Sequence, residues 1–179
     1  YVVEYSDNGG TSTFSKTISI TPVRKNDAPV NNAPSAIASI QEDAVNNSGS
    51  LVSGFLSSTD VDGNSLGIAV TATDNSHGAW QYSTDTGATW AAFGTPTDAA
   101  ARLLRSTDMV RFVPAADFTG TATITYRAWD RSSGTTGSTV DISASTAYGT
   151  TKAVANGDET AFSATKQTAT ITVSAVSDA

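Results

Sequence analysis

One stretch of the chain, Asp60-Val61-Asp62-Gly63-Asn64, has the residue types and spacing to hold a metal ion. In an extended stretch residues two apart face the same side, so the two carboxylates stand together while Val61 points into a core. Adjacent carboxylates repel unless a cation lies between them. Gly63 permits the tight turn that brings Asn64 or a backbone carbonyl near. Calcium takes about 6 to 8 oxygens at about 2.3 to 2.6 Å and tolerates irregular geometry, which suits such a loop. The same residues also suit a plain acidic turn, and spacing alone does not separate the two readings.

Other chemistry-bearing residues point elsewhere. Ser83-Thr-Asp85-Thr-Gly87-Ala-Thr89-Trp90 matches the Asp-box pattern, in which the aspartate bonds the turn, the glycine permits the backbone and the tryptophan packs beneath. This is read as a structural hairpin, not a site. His77, the sole histidine, has no convergent partners in the sequence and reads as a loop residue. Trp80, Trp90 and Trp129 suit either a sugar-stacking platform or core anchors, and core is the expected role. Arg102, Arg105 and Arg111 read as a solvated face. Asp98 could cap a short helical turn within Pro96 to Leu104. No nucleophile sits beside an identifiable base and there is no glycine-rich phosphate loop, so no enzymatic activity is expected.

The elements that must position these residues are strands. Thr and Ser together number 51 of 179 residues while Leu, Glu, Lys and Met are scarce. Alternating stretches recur along the chain with turn chemistry between them: Tyr1 to Ser6, Ser12 to Thr21, Ser35 to Gln41, Leu51 to Ser57, Leu66 to Thr73, Ala79 to Ser83, Thr89 to Phe93, Met109 to Val113, Thr121 to Trp129 and Thr168 to Val176. Short strands at this spacing predict an all-β sandwich. The absence of cysteine excludes disulfides and thiolate zinc sites. Fourteen Asp against three Glu, within a net charge of −7, make nucleic acid and anionic membrane surfaces unfavourable partners and make calcium the first cofactor to test. No apolar run is long enough for membrane insertion. No basic-then-apolar leader precedes the strand-like start at Tyr1, so the start is read as an internal cut.

Internal similarity divides the chain. "TISITPVRKNDA" (Thr17 to Ala28) resembles "TATITVSAVSDA" (Thr168 to Ala179), and "YVVEYSD" aligns with "ITYRAWD", which sets Asp7 opposite Asp130. Residues 1–28 are therefore read as the closing hairpin of a preceding repeat plus a linker, and residues 29–179 as one complete repeat with a long insertion, about 131–167, before its last strand. An isolated hairpin buries too little to stand alone. It is either cut from its own repeat or completes the sandwich of another copy by strand exchange.

The linker "RKNDAPVNNAP", the opening "QEDAVNNSG", the segment "TDVDGNSLGIAV", the stretch "FVPAADFTGTATITYRAWD" and the closing "TATITVSAVSDA" together resemble bacterial cadherin-like repeats across nearly the whole chain. The resemblance implies an immunoglobulin/cadherin-like Greek-key β-sandwich, strung in tandem in a large secreted adhesin or surface protein of the bacterial cell surface. It implies a structural, calcium-stiffened spacer whose partners are the neighbouring repeats. In such repeats calcium lies where one domain meets the next. The positions that match its ligands are Asn26 and Asp27, Asp60 and Asp62, and Asp130, while Glu42 matches the ligand of the opposite end and would meet the next linker at Asp178. Asp43 is a less certain neighbour. The chain departs from the vertebrate cadherin pattern in lacking its Asp-Arg-Glu segment and the fuller acidic linker. Two other roles stay open: a glycan-binding adhesive domain that uses the aromatics or the insertion, and a filament subunit completed through residues 1–28.

Overall fold

The computed structural model describes residues 2–5, 14–17, 19, 25–143 and 159–177. The chain is all-β, as its composition predicts, and among the described residues the single helical element is a 3-10 turn at Val52–Gly54. Strands β1 (Val2–Tyr5) and β2 (Phe14–Thr17) pair antiparallel as a two-stranded sheet. The next elements are β3 (Val30–Asn31), β4 (Ile40–Gln41), β5 (Ser50–Leu51), β6 (Ser58–Thr59), β7 (Gly67–Thr73), β8 (Gly78–Ser83) and β9 (Ala91–Ala92). The remainder are β10 (Ala101–Arg105), β11 (Met109–Pro114), β12 (Gly120–Trp129), β13 (Thr139–Val140) and β14 (Phe162–Ser174).

Two sheets form the sandwich, one in the order β13-β10-β7-β12-β14-β4 and the other β5-β11-β8-β9, with β3 and β6 paired beside them. Among the described residues all strand pairings are antiparallel except β4 with β14, where Ile40 stands beside Val173 in parallel register. The early strand thus runs alongside the last one and ties both ends of the repeat into one sheet edge. Asn31 anchors β3 nearby: it is buried, its amide donates to the carbonyls of Tyr126 and Thr165, and its Oδ1 accepts from Ser58.

The burial patterns explain the layering. In β11 buried and half-buried residues alternate, as for a strand with one face on the core. In β7 the first five residues, Gly67 to Thr71, are all buried, because that strand is covered on both faces. Ile68 and Val70 join Trp80, Leu104, Phe112, Ile124 and Tyr126 in the core between the sheets. The alternate residue Ala69 faces the other way, into a second core with Leu103, Trp129, Ile142 and Phe162. Ile142 and Ala161 come from the two ends of the β12–β14 connection, so that connection covers the outer face of the larger sheet. Each fully buried large apolar side chain contributes about 1.5–3 kcal/mol, so the second core is a substantial part of the repeat's stability.

Several local expectations need correction. The stretch from Pro96 to Leu104 holds no helical turn: Thr97 and Ala100 close a small turn, and Ala101 opens β10. Because β10 is covered on both faces, Leu103 and Leu104 are both buried and the period-two signal is lost. Trp80 and Trp129, 1% and 2% exposed, lie within the cores and form no sugar-stacking platform. The three arginines are engaged, not simply solvated. Arg102 lies over the Tyr82 ring and donates to the Gly137 carbonyl, while Arg111 lies 4.3 Å over the Trp90 ring and donates to Gln81. Arg105 pairs with Asp108.

Candidate functional site

At the end of the sandwich where the linker enters, a chain of hydrogen bonds gathers five of the residues singled out above. It starts at Asp60, whose Oδ1 accepts the backbone N–H of Asp62 at 2.7 Å. Gly63, at φ +74°, turns the chain back and donates its N–H to the Asp60 carbonyl at 3.3 Å. Asp62 Oδ2 accepts the backbone N–H of Asp27 at 2.7 Å, which seats the linker on the loop. Asn64 donates to Asn26 Oδ1 at 3.4 Å, and Asn26 Nδ2 donates to Asp130 Oδ2 at 2.6 Å.

Asp130 is delivered by the end of β12, just after a register shift between Arg127 and Trp129. It is only 2% exposed. Its Oδ1 accepts the N–H of Ser132 at 2.7 Å and its own N–H donates to the Ala161 carbonyl at 3.0 Å. One residue therefore holds the linker and both ends of the β12–β14 connection. The Asn26 amide also donates to the Thr160 carbonyl at 3.2 Å, and Lys25 pairs with Glu159. Thr160 and Glu159 were not legible in the sequence: a backbone carbonyl leaves no side-chain signal, and their segment lies far from the linker in the chain.

Asp60 stands out electrostatically. Its Oδ2 is buried and has no hydrogen-bond partner among the described residues. Burial raises its pKa above the ordinary aspartate value; the Asp62 N–H opposes that, and the negative charges of Asp130 and Asp62 add to it. An unpartnered carboxylate oxygen beside two further carboxylates, with amide and carbonyl oxygens around, fits a hard cation. The arrangement is not a ready-made cage, since among the described residues no three His, Cys, Asp or Glu side chains stand at metal-ligating spacing.

The expected route to this cluster was wrong in one respect. Asp60 and Asp62 share a side because the chain turns, not because it is extended, and Val61 is 79% exposed instead of pointing into the core. The aspartate bond to the N–H two residues on closes the turn locally, and in that turn Val61 faces solvent.

Glu42 lies at the other end of the sandwich. It is 8% exposed, its N–H donates to the Ser174 carbonyl at 3.0 Å, and its Oε1 accepts the Val176 N–H at 2.8 Å, so it touches the chain where it leaves the repeat. Asp43 is its exposed neighbour. Asp178 and Asp7 lie outside the described residues.

Two further polar clusters are structural. In the Asp-box hairpin, Asp85 accepts from Ser83 at 2.7 Å and from the Thr89 N–H and hydroxyl at 2.9 and 2.6 Å, which holds its carboxyl down at about 2. The buried Asp108 accepts from the Arg105 guanidinium, the Arg105 N–H and the Thr136 hydroxyl, so it fastens the β10–β11 turn to the β12–β14 connection. The Arg-Ser-Thr-Asp turn was its one sequence signal, at i,i+3 spacing.

Comparison with known proteins agrees with the sandwich. Searches of curated proteins and of solved structures each returned no match to the chain. The bacterial Ig domain family matches residues 26–143, more than half of the chain, from the linker through β13. The chain therefore belongs to the bacterial Ig domain family, and is an immunoglobulin-type repeat of the kind that bacterial surface proteins carry.

Proposed function

We propose that this repeat is a non-catalytic spacer in an extracellular bacterial adhesin or surface protein, stiffened by calcium where the linker meets the sandwich. Residues 1–28 then belong to the preceding repeat and its linker, and residues 29–179 to the repeat they lead into. The observation that carries this reading is Asp60 Oδ2, out of solvent and without a hydrogen-bond partner among the described residues, next to Asp62 and Asp130.

Without a cation the three carboxylates repel one another, and the linker is seated by single hydrogen bonds, Asp27 N–H to Asp62 and Asn26 to Asp130. When bound, calcium would supply the positive charge this cluster lacks, with Asp60, Asp62, Asp130 and Asn26 as the residues to hold it. Asp27 and Asn26 contribute by fixing the linker against the loop and the end of β12. Glu42 plays the matching part at the exit, toward the next linker at Asp178. The absence, among the described residues, of a helix long and apolar enough to cross a membrane is compatible with this placement.

Isothermal titration with calcium tests the reading. The expected result is saturable binding with Kd of about 10⁻⁴ to 10⁻³ M, as in extracellular modules, and its loss in Asp60→Ala with the melting transition retained. No heat of binding in the intact chain, or equal binding in Asp60→Ala, contradicts it.

A further inference from the structure

Val61 is the most exposed large apolar side chain among the described residues, at 79%, and it sits on the loop that seats the linker. Val30, at 60%, stands close by: it follows the linker on β3 and pairs with Thr59, two residues before Val61. The turn at Asp60 to Asn64 is closed by backbone N–H groups on Asp60 oxygens, so a polar side chain at position 61 would serve it equally. Singly exposed apolar residues are ordinary on protein surfaces. What sets this one apart is the surface that the linker brings against it.

The linker fixes what lies opposite. Residues 17–28 align with residues 168–179 at an offset of 151, so Lys25 matches Val176. At the exit of this repeat Glu42 takes the Val176 N–H at 2.8 Å. With the same arrangement in the preceding repeat, that repeat's exit end holds the Lys25 N–H. This repeat holds the next two residues, through Asn26 on Asp130 and the Asp27 N–H on Asp62. Consecutive Cα atoms are only about 3.8 Å apart. The two ends therefore face each other with no free linker between them, and Lys25 spans the seam with its ammonium on Glu159 of this repeat.

The exit end carries an exposed apolar group of its own. Val45, at 48%, lies in the turn that follows Glu42, closed by the Ala44 N–H on the Gln41 carbonyl and by the Asn47 amide on the Ala44 carbonyl. An apolar side chain thus stands beside the point where the chain enters the repeat and another beside the point where it leaves. Apolar surfaces held this close gain by excluding water from between them. We propose that consecutive repeats pack end to end in direct apolar contact, with Val61 of one repeat against the exit turn of the repeat before it, at the residue that matches Val45. The proposal rests on residues 1–28 being the end of a preceding repeat, and it adds to the calcium joint a contact made by side chains alone.

The test is disulfide trapping in a stretch that runs from the preceding repeat through residue 179, since these 179 residues contain no cysteine. Val61→Cys is combined with a cysteine substituted at the preceding repeat's match of Val45, and oxidised mildly in calcium and in chelator. Most molecules are expected to cross-link in calcium, whereas Val45→Cys of this repeat, at the far end of the sandwich, gives little cross-link with the same partner. Slower trapping in chelator supports both the contact and calcium's part in the joint, and equal trapping supports the contact while contradicting calcium's part. No trapping above the Val45→Cys control in either condition overturns the contact, whatever the calcium titration shows. In saturating calcium, Val61→Ser is expected to speed trypsin cleavage after Arg24 or Lys25 of the two-repeat stretch by about threefold or more, with the melting temperature of the 179-residue chain unchanged. An unchanged cleavage rate, or a lower melting temperature of the 179-residue chain, overturns the proposal.

Discussion

Asn26 in the linker donates its side-chain amide to Asp130 at the end of β12 at 2.6 Å, across 104 residues of sequence. Because Asp130 also accepts from Ser132 and donates to Ala161, the linker and the β12–β14 connection share one anchor. Movement of the linker off its seat removes a bond from the residue that holds the connection in place, so order in the one favours order in the other.

Asp130→Ala strips partners from the Ser132 N–H and the Asn26 amide in a buried place. The expected loss is about 2–4 kcal/mol in chemical denaturation, with faster hydrogen exchange at Ser132 and Asp27. Asn26→Ala costs less, about 1 kcal/mol, because it leaves the Ser132 bond intact. Equal stability of wild type and Asp130→Ala would show that the anchor carries nothing.

Asp85 sets an acid limit on the hairpin. Its carboxyl, held at about 2 by the Thr89 and Ser83 bonds, has a lower pKa folded than unfolded. The stabilisation is therefore complete above the unfolded aspartate value and is lost as pH falls through roughly 4 toward 2. Melting temperatures of wild type and Asp85→Ala should differ at neutral pH and converge at about pH 2. A gap that stays constant with pH contradicts the assignment, and Asp74 and Asp141, whose pKa values are also lowered, cancel in the comparison.

Tyr126 is buried, its hydroxyl has no partner among the described residues, and burial pushes its pKa up to about 12. Removal of an unsatisfied polar group from a core costs nothing and can stabilise. Tyr126→Phe is expected to be at least as stable as wild type in a denaturant series. A loss of about 1 kcal/mol, ordinary for a satisfied tyrosine hydroxyl, would reveal a partner for that oxygen.

Ile142 tests the outer core. Ile142→Ala should cost about 2–5 kcal/mol, as for a core residue, if the β12–β14 connection is part of the folded sandwich. A change below about 0.5 kcal/mol would make that connection a surface ornament.

Much of the fold was legible in the sequence, and the exceptions have physical causes. β8, β11 and β12 announce themselves by alternation because each has one face in the main core and the other half-exposed. β10 was missed because two-sided burial replaces alternation with an Ala-Leu run that also suits a helix. At the joint, hydrogen bonds link Asp62 to Asp60 and Asp27, and Asn26 to Asp130, but the orientation of Val61 depended on a local aspartate turn that burial arguments do not weigh. The Asp108 lock and the Thr160 carbonyl were invisible because their partners lie on the far side of the β12–β14 connection.

The most direct test of a calcium-stiffened joint is small-angle scattering from a stretch carrying two consecutive repeats, in calcium and in chelator, for wild type and for Asp60→Ala with Asp62→Ala. Wild type should lengthen and narrow its distance distribution in calcium, and the double variant should give the chelator profile under both conditions. Identical wild-type profiles with and without calcium would contradict the account.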